Sequence, residues 1–139
     1  MNNNDLLIPF TDEMLLAIPE IDAQHRHFVG LLNQLYHAVT IASPASEVEE
    51  IIQSLVGYAV FHFTTEEALM TKFSFPQIAE HKQIHLELKA TLLSKIDAYH
   101  EKGADELMGI LDFLEDWLVR HLELEDSKYA AYYKKMGYI

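Results

Sequence analysis

Residues 78–99 read IAEHKQIHLELKATLLSKIDAY, and within them Ile78, His81, His85, Leu88, Leu92, Ile96 and Tyr99 recur at intervals of three and four. That spacing keeps the named side chains on one face of an α-helix. The face is apolar except where two histidines interrupt it. Four residues apart, they are separated by only about 40° in projection, so both imidazoles can reach one ion. This stretch therefore predicts a helix that carries its chemistry on its buried side.

The same pattern extends in both directions. Upstream, Ser74-Phe75-Pro76 separates this helix from another, on which Val48, Ile51, Ile52, Leu55, Ala59, His62, Phe63, Glu66 and Met70 face inward. Ser46 followed by Glu49 reads as a capping box that opens it. Before the break at Ala42-Ser43-Pro44-Ala45, Pro19 is placed to start a first helix carrying Ile21, His25, Phe28, Leu32, Leu35 and Val39. Downstream, Gly103 stops the third helix, and Asp105 is placed to cap a fourth. That helix carries Leu107, Ile110, Leu111, Leu114, Trp117, Leu118, His121 and Leu122 and runs to about residue 130. No stretch carries a strand signal. Four amphipathic helices with short connections predict an all-α, antiparallel up-down-up-down four-helix bundle. Residues 1–18 form an N-terminal arm and residues 19–139 a single domain in this reading.

Composition narrows the function. The chain has 139 residues, half of them hydrophobic, which is enough for one substantial core. With 22 acidic and 10 basic side chains its formal charge is -12, which disfavours nucleic acid and anionic membrane surfaces as partners. The absence of cysteine excludes disulfides, thiolate zinc sites and iron–sulfur clusters, so any metal must be held by nitrogen and oxygen. The first residues, Met1-Asn2-Asn3-Asn4-Asp5, lack the pattern of a secretory signal, and no apolar run approaches the ~20 residues of a membrane span. A cytoplasmic location is the expectation.

Helix rise then tests whether the eight histidines are scattered. At about 1.5 Å per residue, and with helices alternating in direction, His25 lies ~8 Å from one end of the expected bundle. On the same scale His62 and Glu66 lie at ~16 and ~10 Å, His81 and His85 at ~8 and ~14 Å, and His121 at ~14 Å. Five inward histidines thus share one layer, whereas His27, His37 and His100 belong on the surface. Burying so many imidazoles and a carboxylate without compensation would cost several kcal/mol per group, too much for a stability of about 5 to 15 kcal/mol. A cation supplies the compensation. The donor set exceeds what one tetrahedral zinc requires and suits calcium or magnesium poorly; two carboxylate-bridged ions fit better, and iron is the natural choice. The last helix leaves an alternative open. Glu125 follows His121 on the same face, while Asp126 is rotated by about 140°.

The motifs Ile21-Asp22-Ala23-Gln24-His25, His62-Phe63-Thr64-Thr65-Glu66-Glu67, Phe75-Pro76 with His81-Lys82-Gln83-Ile84-His85, and Trp117-Leu118-Val119-Arg120-His121 with Asp126 resemble the hemerythrin family, in particular its bacterial members. The resemblance spans roughly residues 10 to 133. It implies two iron ions joined by a bridging oxo or hydroxo group, one ligated by His81, His85 and His121 and the other by His25 and His62. It implies Glu66 and Asp126 as bridging carboxylates, choosing Asp126 over Glu125. It further implies reversible dioxygen binding beside the iron with two histidines, in an apolar pocket expected from Phe28, Phe63, Trp117, Leu118 and Leu122.

Such a protein is a binder of dioxygen rather than an enzyme. Its setting is either storage and delivery, or oxygen and redox sensing with a C-terminal signalling output domain or a redox partner. The chief rival is a di-iron redox enzyme with peroxidase-like or nitric-oxide chemistry. Against the ferritin-like kind, no Glu-x-x-His pair is present. A zinc hydrolase is disfavoured because His81-Lys82-Gln83-Ile84-His85 lacks the glutamate of a His-Glu-x-x-His motif. Near the N-terminus the chain departs from the family, with Phe10 where tryptophan is common and Ala17-Ile18-Pro19-Glu20 in place of a glycine-containing approach.

Overall fold

The computed structural model describes residues 7–139, except for the side chains of Leu122 and Glu123; the first six residues of the expected arm lie outside the described residues. Those described are helical, with no strand among them: α1 (Pro19–Thr40), α2 (Ala45–Lys72), α3 (Ile78–Lys102), α4 (Leu107–Arg120) and α5 (Ser127–Lys135). A π-helical turn, His121–Asp126, runs directly from α4 into α5, so the last three elements form a single helical run. Four long helical runs without strands are consistent with the four-helix bundle expected from the sequence. No helix among the described residues is long and apolar enough to cross a membrane. The chain falls into two compact units that divide after Glu66, with α2 covalently continuous across the division.

In the first unit α1 opens at Pro19, and Glu20 and Asp22 place negative charge in its first turn, where the helix dipole favours it. Asp22 also accepts a hydrogen bond from the Leu16 amide at 2.7 Å, which fixes the approach of the chain to the helix. Ile21, His25, Phe28, Leu32 and Leu35 are buried as the periodicity requires. Val39 is not; Ala38 takes the last buried place on that stripe. The α1 and α2 segments run antiparallel, since Gln24 meets Thr65 while His27 meets Tyr58. The expected capping box is corrected here. Pro44, rather than Ser46, stands at the entrance to α2, because its carbonyl accepts from both Glu47 and Val48 and draws the helix start back to Ala45.

The arm is held by a residue with no role in the periodic pattern. Asn33, 6% exposed, accepts hydrogen bonds from the amides of Leu7 and Ile8, both at 2.9 Å, and donates to the Ile8 carbonyl at 2.8 Å. Its amide thus satisfies three backbone groups of Leu7 and Ile8, which lie in no helix or strand. Asn33→Ala strands those groups and is expected to destabilise the protein by about 1 to 3 kcal/mol. Urea unfolding checks this, with an unchanged midpoint counting against the anchor.

In the second unit α3 buries His81, His85, Leu88, Leu92 and Ile96. It ends at Gly103, whose φ of 92° lies where a side chain would be strained. Asp105 does not cap the next helix. It lies inside a 3₁₀ turn, Ala104–Glu106, that intervenes before α4. The C-terminal α5 is seated by Tyr129 and Tyr133, 1% and 0% exposed, which pack against Phe73 and Phe75 with ring centroids 4.8 to 6.4 Å apart.

Candidate metal centre

Each unit gathers its own set of donors. In the first, His62 and Glu66 stand one turn apart on α2, and His25 meets them from α1. His25 Nε2 lies 3.0 Å from His62 Nε2 and 3.3 Å from Glu66 Oε1, while His62 Nε2 is in close contact with the same carboxylate oxygen. All three side chains are buried, Glu66 to 1% exposure.

Hydrogen-bond direction shows what this cluster suits. His62 Nδ1 lies 2.8 Å from Gln24 Oε1, which can only accept, so Nδ1 carries the hydrogen. With the ring in the neutral form that a metal ligand takes, the lone pair of Nε2 is turned toward Glu66, whose carboxylate oxygen also offers only lone pairs. Two lone-pair donors facing one another in a buried site repel unless a cation lies between them. The residues present fit a metal ion.

In the second unit His81 and His85, one turn apart on α3, converge with His121, their ligating atoms within 4.8 Å of one another. Asp126, 0% exposed, joins them. Its Oδ1 is 2.8 Å from His121 Nε2 and 3.2 Å from His81 Nε2. Glu67 fixes His85 much as Gln24 fixes His62. Its carboxylate accepts from His85 Nδ1 at 3.0 Å, which fixes the orientation of that ring. Trp117 stacks on His121 at 4.7 Å between centroids, which sets the plane of that ring.

The π turn explains why Asp126 stands in this cluster. An α-helix would carry the residue five positions after His121 well off the face, but the i→i+5 bonding of a π turn brings it round beneath the first. Glu125 is accordingly displaced. Its side chain is 29% exposed and pairs with Lys128 at 3.1 Å.

Of the residues expected to form an apolar pocket, Phe28, Phe63 and Leu118 are buried, and the Phe63 ring lies 6.0 Å from that of His62. Trp117 is half-buried, and the side chain of Leu122 lies outside the described residues. His27, His37 and His100 are exposed. Sequence periodicity missed Gln24, Glu67 and the π turn. The first two are chain neighbours of His25 and Glu66, about 100° away around their helices, and spacing gives no reason to aim them at a ligand.

Fold and donor sets define the class: an all-helical protein with buried histidine and carboxylate groups suited to cations. The model of the Hemerythrin HHE cation binding domain matches residues 16–133. A bacteriohemerythrin of Stenotrophomonas maltophilia (strain R551-3) is 32% identical over 124 residues, covering 89% of this chain and 80% of that protein. One from Pseudomonas aeruginosa (strain LESB58) is 33% identical over 122 residues, 86% and 76% of the two chains. Myohemerythrin-1 of Phascolopsis gouldii is 28% identical over 111 residues, 80% and 82%. The chain belongs to the hemerythrin family.

Proposed function

We propose that this protein binds dioxygen reversibly at two iron ions, for which His25, His62 and Glu66 of the first unit and His81, His85, His121 and Asp126 of the second would supply the ligands. The observation that carries the reading is the gathering of buried donors in each unit, with Nδ1 of His62 and of His85 turned to Gln24 and Glu67 at 2.8 and 3.0 Å. Family membership supports iron as that cation.

Ferrous iron, when bound to these residues, would supply the electrons for holding dioxygen. The chain supplies the rest. Five neutral imidazoles with two carboxylates give fewer anionic ligands than a carboxylate-rich site, and so favour reversible binding over oxidation of a substrate. Phe63, buried with its ring 6.0 Å from that of His62, would help exclude water, whose entry would favour irreversible loss of electrons to oxygen. The protein acts as a single domain in the cytoplasm, either storing and delivering oxygen or sensing it for an attached output domain or redox partner.

Two irons per chain are expected by metal analysis, with an absorption change on exposing the reduced protein to air that reverses under vacuum. One iron per chain, or immediate irreversible oxidation, would overturn the proposal. His121→Ala is expected to lose the complete pair, while His27→Ala, altering an exposed histidine, keeps both ions.

A further inference from the structure

Gln24 belongs to no apolar stripe, yet it is buried to 6% exposure, and all of its polar atoms are committed within the first unit. The direction of each bond follows from the one before it. Thr65 Oγ1 lies 3.1 Å from the Phe61 carbonyl, which can only accept, so the Thr65 hydroxyl donates there. The remaining lone pairs of that hydroxyl accept from Gln24 Nε2 at 3.1 Å. The amide is thereby held with its oxygen toward His62 Nδ1, at 2.8 Å. A hydrogen is consequently required on Nδ1, which in the neutral, metal-ligating ring leaves the lone pair on Nε2, the nitrogen that faces Glu66 and His25. One helical carbonyl dictates, through two side chains, which nitrogen of a buried histidine is turned to ligate.

The corresponding support on the other side differs in charge. His85 Nδ1 donates to Glu67, a carboxylate whose side chain is 30% exposed. A carboxylate behind an imidazole raises the basicity of its far nitrogen more than a neutral amide does.

We propose that Gln24 is a positioning residue that selects the metal-ligating tautomer of His62 under the direction of Thr65, and that its neutrality, against the charge of Glu67, makes the position on His62 the weaker of the two for metal. This rests on the two-metal reading above. It adds an inequality between the positions and names the groups that set it.

Cobalt(II), which is stable in air, serves as the probe in titrations followed by its visible bands and by isothermal calorimetry. Wild-type protein is expected to bind two ions in unequal steps. Gln24→Leu removes the acceptor and should weaken the weaker step by about 10- to 100-fold, leaving the tighter one unchanged. Gln24→Glu restores an acceptor, adds charge and should bring the two steps closer together. Thr65→Val leaves Gln24 in place but frees its amide to turn, so the weaker step should weaken by a smaller factor. Nitrogen-15 shifts of the zinc-loaded protein should show His62 bonded to metal through Nε2 in wild type and a mixture of ring nitrogens in Thr65→Val.

Wild-type affinity in Gln24→Leu overturns the proposal, as does a loss in Gln24→Glu equal to that in Gln24→Leu, which would mark a packing role. If Gln24→Leu does not fold, judged by circular dichroism, Gln24→Glu and Thr65→Val decide the matter, and an unchanged weaker step in both is fatal. Failure of wild-type protein to bind a second ion would instead count against the two-metal reading itself.

Discussion

Replacing Asp126 by alanine is expected to lower the iron bound per chain, whereas replacing Glu125 by alanine should leave it unchanged. Metal analysis of the two variants, prepared side by side, is the measurement. The contrast is sharp because the two carboxylates are adjacent in the chain and differ only in what the π turn does to them. Asp126 is wholly buried and within 2.8 and 3.2 Å of His121 and His81, while Glu125 lies at the surface beside Lys128. Loss of Asp126 removes a donor from the cluster of His81, His85 and His121, so more than a tenfold loss of metal affinity is expected there. Glu125→Ala removes one exposed ion pair worth at most about 1 kcal/mol. An iron-depleted Glu125→Ala with an iron-replete Asp126→Ala would mean that the helix adopts a regular α register when metal binds.

Glu66→Gln should have opposite effects on the metal-free and metal-loaded protein. Glu66 and Asp126 are 1% and 0% exposed, and carboxylates at such depth cost several kcal/mol to bury before any cation compensates them. Neutralising one keeps the shape and removes that cost, so the metal-free variant is expected to be more stable than metal-free wild type by about 1 to 3 kcal/mol. Metal reverses the order. Iron at a thousand times its dissociation constant adds about 4 kcal/mol per site to wild type, and the variant, lacking a ligand oxygen, forgoes most of it. Thermal melts of both proteins with and without iron test this crossing. Metal-free Glu66→Gln melting at or below metal-free wild type would mean that the carboxylate is already compensated within the protein. Such a crossing is what a site held ready for a cation, at the expense of stability, must show.

The helices were legible because burial imposes a period. Ile21 to Leu35 on α1, and His81 to Ile96 on α3, repeat at three and four residues since only that spacing keeps them on the covered face. Helix ends were less so. Ser46 and Asp105 carry the chemistry of caps, yet a proline carbonyl and a 3₁₀ turn take those places, because a cap is decided by backbone geometry that several neighbouring residues can satisfy.

The site divides in the same way. His25, His62, Glu66, His81, His85 and His121 could be named from their places on the stripes, and within each unit the structure brings them together. Asp126 was reached through resemblance, against the regular helical angle. The π turn is invisible in the sequence because a single extra residue in a helical turn leaves the hydrophobic pattern intact on both sides of it. By itself the sequence determined which residues lie on buried helical faces, since the period of the helix turns a linear pattern into a face. Tertiary structure alone decided which of two neighbouring carboxylates is turned inward and which groups stand behind the histidines. Those depend on local backbone winding and on contacts between helices, and neither leaves a period in the chain.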